Sequence, residues 1–357
     1  AGAGYSSSGG LFGTVSYQQK NFGGNNQTLG TDISLGNNSL LFDVNFTDPW
    51  IGGSESRTSY TVNAFRRRSI SLVYNGDDDI ETRDTDEDLD DDNSSSPRII
   101  RTGGGITFGR PIPGDPFKAR EWSLSTGLQY QRVEVRNSDG DIVSESRPED
   151  GSELLAASDD GTDDLFILRF GANRDRRNNP LQPTKGSVLR LGTEQTIPIG
   201  SGSILFNRVR GNYSRYFPIN IIRFSDGPET LAFNIQAGTI LGDVPPYESF
   251  ILGGSNSVRG FGDGEVGSGR SYFQATAEYR FPIFKIVGGA LFFDYGTTLG
   301  SDDAVPGTPS IVRELPGAGY GYGIGVRVQS PLGPIRVDYA INDDGGNEIQ
   351  FGIGEKF

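Results

Sequence analysis

Cysteine, histidine and methionine are all absent from this 357-residue chain. Without cysteine there is no disulfide framework, no thiolate metal site and no cysteine nucleophile. Without histidine the usual general base and the commonest zinc ligand are missing, and a Ser–His–Asp triad is impossible. The chain is therefore a poor candidate for an enzyme. No run of about 18 apolar residues occurs, which excludes a transmembrane helix. Almost no stretch places apolar residues at i, i+3, i+4 and i+7, so helices are not expected. The first residue is Ala, with no leader segment, which reads as a mature or trimmed chain.

What is present is glycine, 52 residues of it, and alternation. Sixteen segments read as strands, over 1–7, 10–19, 27–36, 39–48, 56–74, 98–110, 119–136, 164–176, 186–198, 202–217, 229–241, 270–282, 285–298, 319–330, 334–342 and 347–357. In 229–241, Leu231, Phe233, Ile235, Ala237, Thr239 and Leu241 oppose Ala232, Asn234, Gln236 and Gly238. In 270–282, Phe273, Ala275, Ala277, Tyr279 and Phe281 oppose Gln274, Thr276, Glu278 and Arg280. About eight strands suffice for a filled barrel. Sixteen leave a wide lumen, so the polar face belongs inside and the apolar face in lipid. The expected fold is all-β: one domain, 1–357, forming a 16-stranded antiparallel transmembrane β-barrel.

The connections alternate in kind. One set is short and rich in Pro and aromatics, such as Asp48-Pro49-Trp50-Ile51 and Phe281-Pro282-Ile283-Phe284. The long set comprises 75–97, 137–163, 243–269 and 299–318. The net charge of −14 sits in two of these. Residues 75–97 carry eleven acids against Arg83, and 137–164 carry ten against Arg147, leaving a framework of about +5. An acidic total argues against nucleic acid as a partner. Asp84, Asp86, Asp88 and Asp90 alternate as in a calcium loop, but Leu89 stands where the sharp turn needs Gly. Both acidic stretches read as solvated charge runs, and neither a metal nor a cofactor is expected. Arg66-Arg67-Arg68 reads as a mix of lumenal charge and a bulge. Arg169, Arg190, Arg208, Arg210, Arg280 and Arg327 fall on polar faces, balancing lumenal acids.

The loop at 243–269 holds Val258-Arg259-Gly260-Phe261. Glu278 lies on the polar face of the next strand, and Asp294 in Phe293-Asp294-Tyr295-Gly296 lies among small and polar residues of the one after. If the sheet closes, both carboxylates point into the lumen, where Arg259 is their natural partner. Gly321, Gly323 and Gly325 share one lumenal face and leave room for an inserted loop.

These segments, with Gly323-Ile324-Gly325-Val326-Arg327, Ser330-Pro331-Leu332-Gly333-Pro334-Ile335-Arg336-Val337-Asp338-Tyr339-Ala340 and the ending Phe351-Gly352-Ile353-Gly354-Glu355-Lys356-Phe357, resemble the BamA-type outer-membrane assembly barrels. That superfamily includes cyanobacterial assembly proteins, the chloroplast outer-envelope import channel and the two-partner-secretion translocators. The Asn21–Gln27 turn and the composition look cyanobacterial. The resemblance implies that the 243–269 loop folds into the lumen with Arg259 on Glu278 and Asp294. It implies an outer-membrane location and function at a seam between the first and last strands, where Gly2, Gly4, Gly352 and Gly354 either weaken pairing or relieve crowding. Phe351, Ile353 and Phe357, on one face, resemble the C-terminal signal by which such barrels are inserted. The implied partners are the lipid bilayer, unfolded outer-membrane protein clients, and lipopolysaccharide or another outer-leaflet lipid. Family members carry periplasmic POTRA domains ahead of the barrel, whereas this chain starts at the first strand.

Overall fold

Period-2 alternation carries through into a single antiparallel meander. A computed structural model describes residues 2–6, 10–36, 39–51, 57–74, 97–112, 121–137, 140–144, 154–200, 203–221, 225–300, 305–306, 309–330 and 333–357. The strands are β1 (Gly2–Ser6), β2 (Gly10–Phe22), β3 (Gln27–Gly36), β4 (Leu40–Asp48), β5 (Ser59–Ile70), β6 (Arg98–Ile112), β7 (Trp122–Arg136), β8 (Thr162–Asp175) and β9 (Gly186–Ile197). They continue as β10 (Phe206–Ile219), β11 (Glu229–Gly242), β12 (Phe250–Leu252), β13 (Gly267–Gly269), β14 (Ser271–Pro282), β15 (Val287–Leu299), β16 (Ala318–Ser330), β17 (Gly333–Asn342) and β18 (Asn347–Ile353). All but β12 and β13 form one 16-stranded sheet in chain order. Its end strands are β1 and β18, and no ladder joins them among the described residues. The β12–β13 hairpin and a short helix, Pro309–Val312, belong to loops and were not expected from the sequence.

The apolar set lies outside. Phe233, Ile235, Tyr295, Ile324, Tyr339 and Ile349 are all well exposed, as lipid-facing side chains must be. Outward aromatics pack across strands, with Phe217 and Phe233 rings 6.2 Å apart and Phe293 and Tyr320 5.7 Å apart. The expected faces of β11 and β14 are the observed ones.

Three expectations need correction. The lumen is not polar throughout: near the long-loop end Val133, Val135, Leu165, Ile167 and Ile240 point inward and are sealed by Tyr74, Leu155, Ala156, Val244 and Tyr247 from the loops. Loops fold in over that mouth, so burial there favours apolar side chains. The acidic stretch at 137–163 is accordingly not all a solvated run, since Leu155 and Ala156 belong to this cluster. Its residues 138–139 and 145–153, and the whole of 75–96, lie outside the described residues. There is no bulge at Arg66–Arg68: β5 keeps register with both neighbours, with Arg67 turned inward to Asp43 at 3.3 Å.

Candidate functional site

The 243–269 loop enters the lumen and is built for its seat. Pro246–Glu248 forms a 3-10 turn at the mouth, and β12 and β13 then carry the chain down to the tip. Val258 and Phe261 are buried with Leu252 and Val266. Beneath them the wall has no side chains. A Cβ on Gly296 would stand 2.6 Å from the Val258 side chain, and one on Gly319 2.5 Å from the Phe261 ring. A Cβ on Gly321 would stand 1.7 Å from the Arg259 carbonyl oxygen. Gly260, at φ 96, turns the tip back toward β17, where a side chain would be strained. The wall is thus a mould of glycines, of which sequence reasoning found Gly321 but missed Gly296 and Gly319.

Arg259 is completely buried. Its Nε donates to Asp294 Oδ2 at 2.6 Å and its Nη2 to Asp294 Oδ1 at 3.2 Å, a two-point contact. Its Nη1 donates to Glu278 Oε2 at 2.9 Å and to Asp338 Oδ2 at 3.2 Å. The guanidinium lies 3.4 Å over the Phe292 ring. The two expected carboxylates are therefore joined to Arg259 as the sequence suggests. Asp338 is a third that it did not assign, although Arg336-Val337-Asp338 alternation already put it on the lumenal face. Burial alone would lower the Arg259 guanidinium, but Asp294 and Glu278 outweigh it and hold it above its ordinary value.

The acids are shared with other cations. Arg327 Nη1 donates to Asp338 Oδ1 at 2.5 Å, and Arg280 Nε to Glu278 Oε1 at 2.8 Å. Lys356 Nζ lies 2.8 Å from Asp294 Oδ1 and donates to the Ser257 carbonyl at 2.5 Å. Arg280 also pairs with Glu355 at 2.9 Å, off the hydrogen-bond line. Four cations (Arg259, Arg280, Arg327, Lys356) thus meet four carboxylates (Glu278, Asp294, Asp338, Glu355). This pairing is what makes the sealed charges tolerable in low dielectric, while buried Arg336 beside them donates to Asn256 Oδ1 at 2.8 Å.

Glu355 and Lys356 reach this cluster because the chain leaves the sheet. Gly354, at φ 86, ends β18 and turns the last residues inward. Phe357 stacks on Tyr216 of β10 at 6.3 Å, and the Tyr216 hydroxyl donates to its carbonyl at 2.8 Å. The expected common face of Phe351, Ile353 and Phe357 is therefore divided. Phe351 and Ile353 are exposed on the outside, and Phe357 is buried in the lumen. Burial pushes the Lys356 ammonium down to about 8, with Asp294 offsetting only part of the effect. Of the seam glycines, Gly352 faces the Arg336 guanidinium at 2.4 Å from a would-be Cβ, which fits the relief of crowding. Gly2 and Gly4 pair with β2 at Thr14 and Phe12. Gly325 makes room for Asp338 and Arg327, and Gly323 for the Tyr339 carbonyl.

A family model, the Omp85 superfamily domain, matches residues 21–357. The chain belongs to the Omp85 superfamily. This Omp85 barrel is 34% identical over 346 residues to outer envelope protein 80, chloroplastic, of Arabidopsis thaliana, covering 97% of this chain and 43% of that protein. It is 26% identical to protein TOC75, chloroplastic, of Pisum sativum, covering 97% of this chain and 42% of that one. The chain thus spans less than half the length of either relative. The crystal structure of BamA from Haemophilus ducreyi lacking POTRA domains 1-3 superposes with a TM-score of 0.72 at 21% identity, covering 98% of this chain and 68% of that one. Its place is accordingly an outer membrane, of the bacterial or chloroplast-envelope kind.

Around the mouth, this Omp85 barrel anchors the loop a second time. Arg101 Nη2 lies 3.3 Å from Glu248 Oε1 and donates to the Tyr247 carbonyl at 2.8 Å. Arg208 also pairs with Glu248, and Tyr247 donates its hydroxyl to Asp163 at 2.5 Å. Burial would raise the Glu248 carboxyl, but Arg101 and Arg208 hold it below its ordinary range.

Proposed function

We propose that this chain is the barrel module of a non-enzymatic outer-membrane protein assembly factor. It works on unfolded outer-membrane protein clients through a lateral seam between β1 and β18, with the long loops outside and the Arg259 loop held in the lumen. One observation carries the reading. The sheet ends at β18 after seven residues, and the chain beyond Gly354 is tied to the lumenal wall of β10, β14 and β15 instead of to β1. A strand edge with no ladder among the described residues offers hydrogen-bonding groups to an incoming strand, which is β-augmentation. Phe351 and Ile353 stand on the lipid side of that edge.

A second reading, a polypeptide conduit through the lumen, draws on the half-exposed arginines Arg169 and Arg210 on the inner wall of β8–β10. A plain diffusion pore is less well supported, because it has no use for a loop clamped inside the lumen at Arg259. The chain has no cysteine, so a disulfide between Gly4→Cys and Gly352→Cys can be made without background. Reconstituted in liposomes with an unfolded barrel client, the oxidised variant should lose assembly, and reduction should restore it. Assembly at the wild-type rate with the seam locked would sink the proposal in favour of the conduit. Deleting 250–268 should raise single-channel conductance under either reading.

A further inference from the structure

The outward face of β5–β7 departs from the rest of the barrel's exterior. Its rows can be read from the ladders. Val62, Ile106, Leu128 and Leu168 are paired across β5–β8 and form an apolar row. The next row toward the long-loop end is Ala64, Gly104, Tyr130 and Phe166. Above it comes Arg66, Thr102, Arg132 and Asp164, then Arg68, Ile100, Glu134 and Thr162. Arg98 and Arg136 pair above these. Successive rows are about 6.6 Å apart along a strand, so the basic zone is little more than about 13 Å deep, the depth of a headgroup layer.

These side chains point to lipid, not to the lumen. Their chain neighbours fix the sides: Arg67 reaches the lumenal Asp43, Arg101 reaches the loop at Tyr247, and Val133 and Val135 are buried in the lumenal cluster. Four arginines, Arg66, Arg68, Arg132 and Arg136, face three carboxylates among the described residues, Glu134, Asp164 and, at longer range, Asp160, with Arg98 beside them. Arg132 holds Asp164 by two bonds at 2.9 and 3.1 Å yet stays half-exposed, and Arg136 holds Glu134 at 2.8 Å. Arg66 and Arg68 make no ion pair with any described residue, and Arg68 Nε is buried without a hydrogen-bond partner. Between Arg66, Arg132 and Arg136 lies a depression of about 460 Å³ floored by Thr102 and Gly103. Followed onto β4, β3 and β2, the Arg66 row continues as Phe42, Ile33 and Val15 and the Arg68 row as Leu40, Leu35 and Gly13, all uncharged. Arginine at a membrane interface is ordinary. Its concentration on β5–β7, against none in the same rows of β2–β4, is what calls for a ligand.

We propose that this face binds the phosphate-bearing headgroup of an outer-leaflet lipid, with Arg66 and Arg68 as the open donors. The acyl chains would lie over Val62, Ile106 and Leu128 below. The planar fork of arginine suits phosphate oxygens, and the excess positive charge complements an anion. Placing this face in the outer leaflet rests on the orientation proposed above, but binding itself does not.

The test is native mass spectrometry of the full chain in detergent, titrated with dioleoylphosphatidic acid. Arms with a monogalactosyl diacylglycerol of the same chains and with inorganic phosphate separate headgroup, tail and free anion. Wild type should prefer the phosphatidic acid, and Arg66→Gln/Arg68→Gln should lose about tenfold or more of that affinity. Arg210→Gln, a lumenal control, should lose none. Galactolipid binding should be equal in wild type and variant, and inorganic phosphate should not compete at matched concentration. Unchanged affinity in the double variant overturns the proposal. So does equal affinity for the galactolipid, or competition by inorganic phosphate alone. Phosphatidic acid binding that appears only after removal of the acidic residues 77–92 would also overturn it, assigning the arginines to the chain's own acids. Because the readout is lipid binding without a client, failure here leaves the seam proposal standing.

Discussion

The lumen contains two clusters of arginine and carboxylate that look alike in sequence and differ in physics. Around Arg259, on β14–β17, side chains of Arg259, Glu278 and Asp294 are 0% exposed. Around Glu194, on β8–β10, Arg169 and Arg210 are 41% and 49% exposed while Glu194 is 10% exposed. The first cluster is dry, each of its four ion-paired cations is held against two or more partners, and buried Arg336 stands beside them on Asn256. The second is open to water and carries more cations than acids: Arg169, Arg208 and Arg210 all reach Glu194. The difference teaches that lumenal charge serves two ends. In the dry cluster the pairs specify where a loop sits, because a misplaced loop strands buried charges. In the wet one they set the field along a wall.

The contrast breaks most sharply at Arg259. Arg259→Ala leaves Asp294, Glu278 and Asp338 buried without their shared partner. The expected loss is roughly 3–5 kcal/mol in urea unfolding from liposomes. Arg259→Lys should recover little, since one ammonium cannot make the two-point contact with Asp294. A loss under about 1 kcal/mol would mean that water enters the site.

Next in size is the Lys356 segment. In its docked position Lys356 titrates at about 8, against an ordinary 10.5. A docked amine that binds protons more weakly than the free one makes docking release a proton between those values. Docking should therefore be flat below pH 8 and tighten by roughly two orders of magnitude as pH rises toward 10.5. Fluorescence of Phe357→Trp against Tyr216 reports it, and Lys356→Met should abolish the dependence. Docking that weakens over that window would reverse the sign and show that the Asp294 attraction dominates.

Gly321→Ala should cost about 1–3 kcal/mol by overpacking against the Arg259 carbonyl, and expose the loop to protease. Gly13→Ala, with open space around it, should cost little. The smallest effect belongs to the wet cluster: Arg210→Ala should change stability by less than about 1 kcal/mol. A larger loss would erase the distinction between the two clusters.

Much of this was legible in the chain. Alternation in β11 and β14 gave the faces, and Glu278 on that polar face, with Asp294 among small and polar residues of the next strand, gave the partners of Arg259. Asp338 and Lys356 were not legible as members, because joining them requires the register of strands that meet only in three dimensions. Gly296 and Gly319 were hidden for the same reason. The outer parts of β5–β7 were misleading in a different way. In β7, Gln129 and Gln131 share a face with Val133 and Val135, while Leu128 and Tyr130 share the other with Arg132, Glu134 and Arg136. The polarity of each face inverts partway along the strand. Outside, the strand passes from acyl chains to headgroups, and inside it passes from water to packed loops. A rule that keeps apolar residues on one side throughout cannot anticipate that exchange.

The glycine mould has a consequence for the order of events as the chain folds. The tip carrying Arg259 is held by β14, β15, β16 and β17, all of which follow it in the chain. It cannot settle until those staves exist, and Lys356 and Gln350, which bond to the loop backbone, come later still. Loop closure over such separations is slow. Seating of the arginine is therefore a terminal step, one that reads out whether the C-terminal wall has been completed in the correct register.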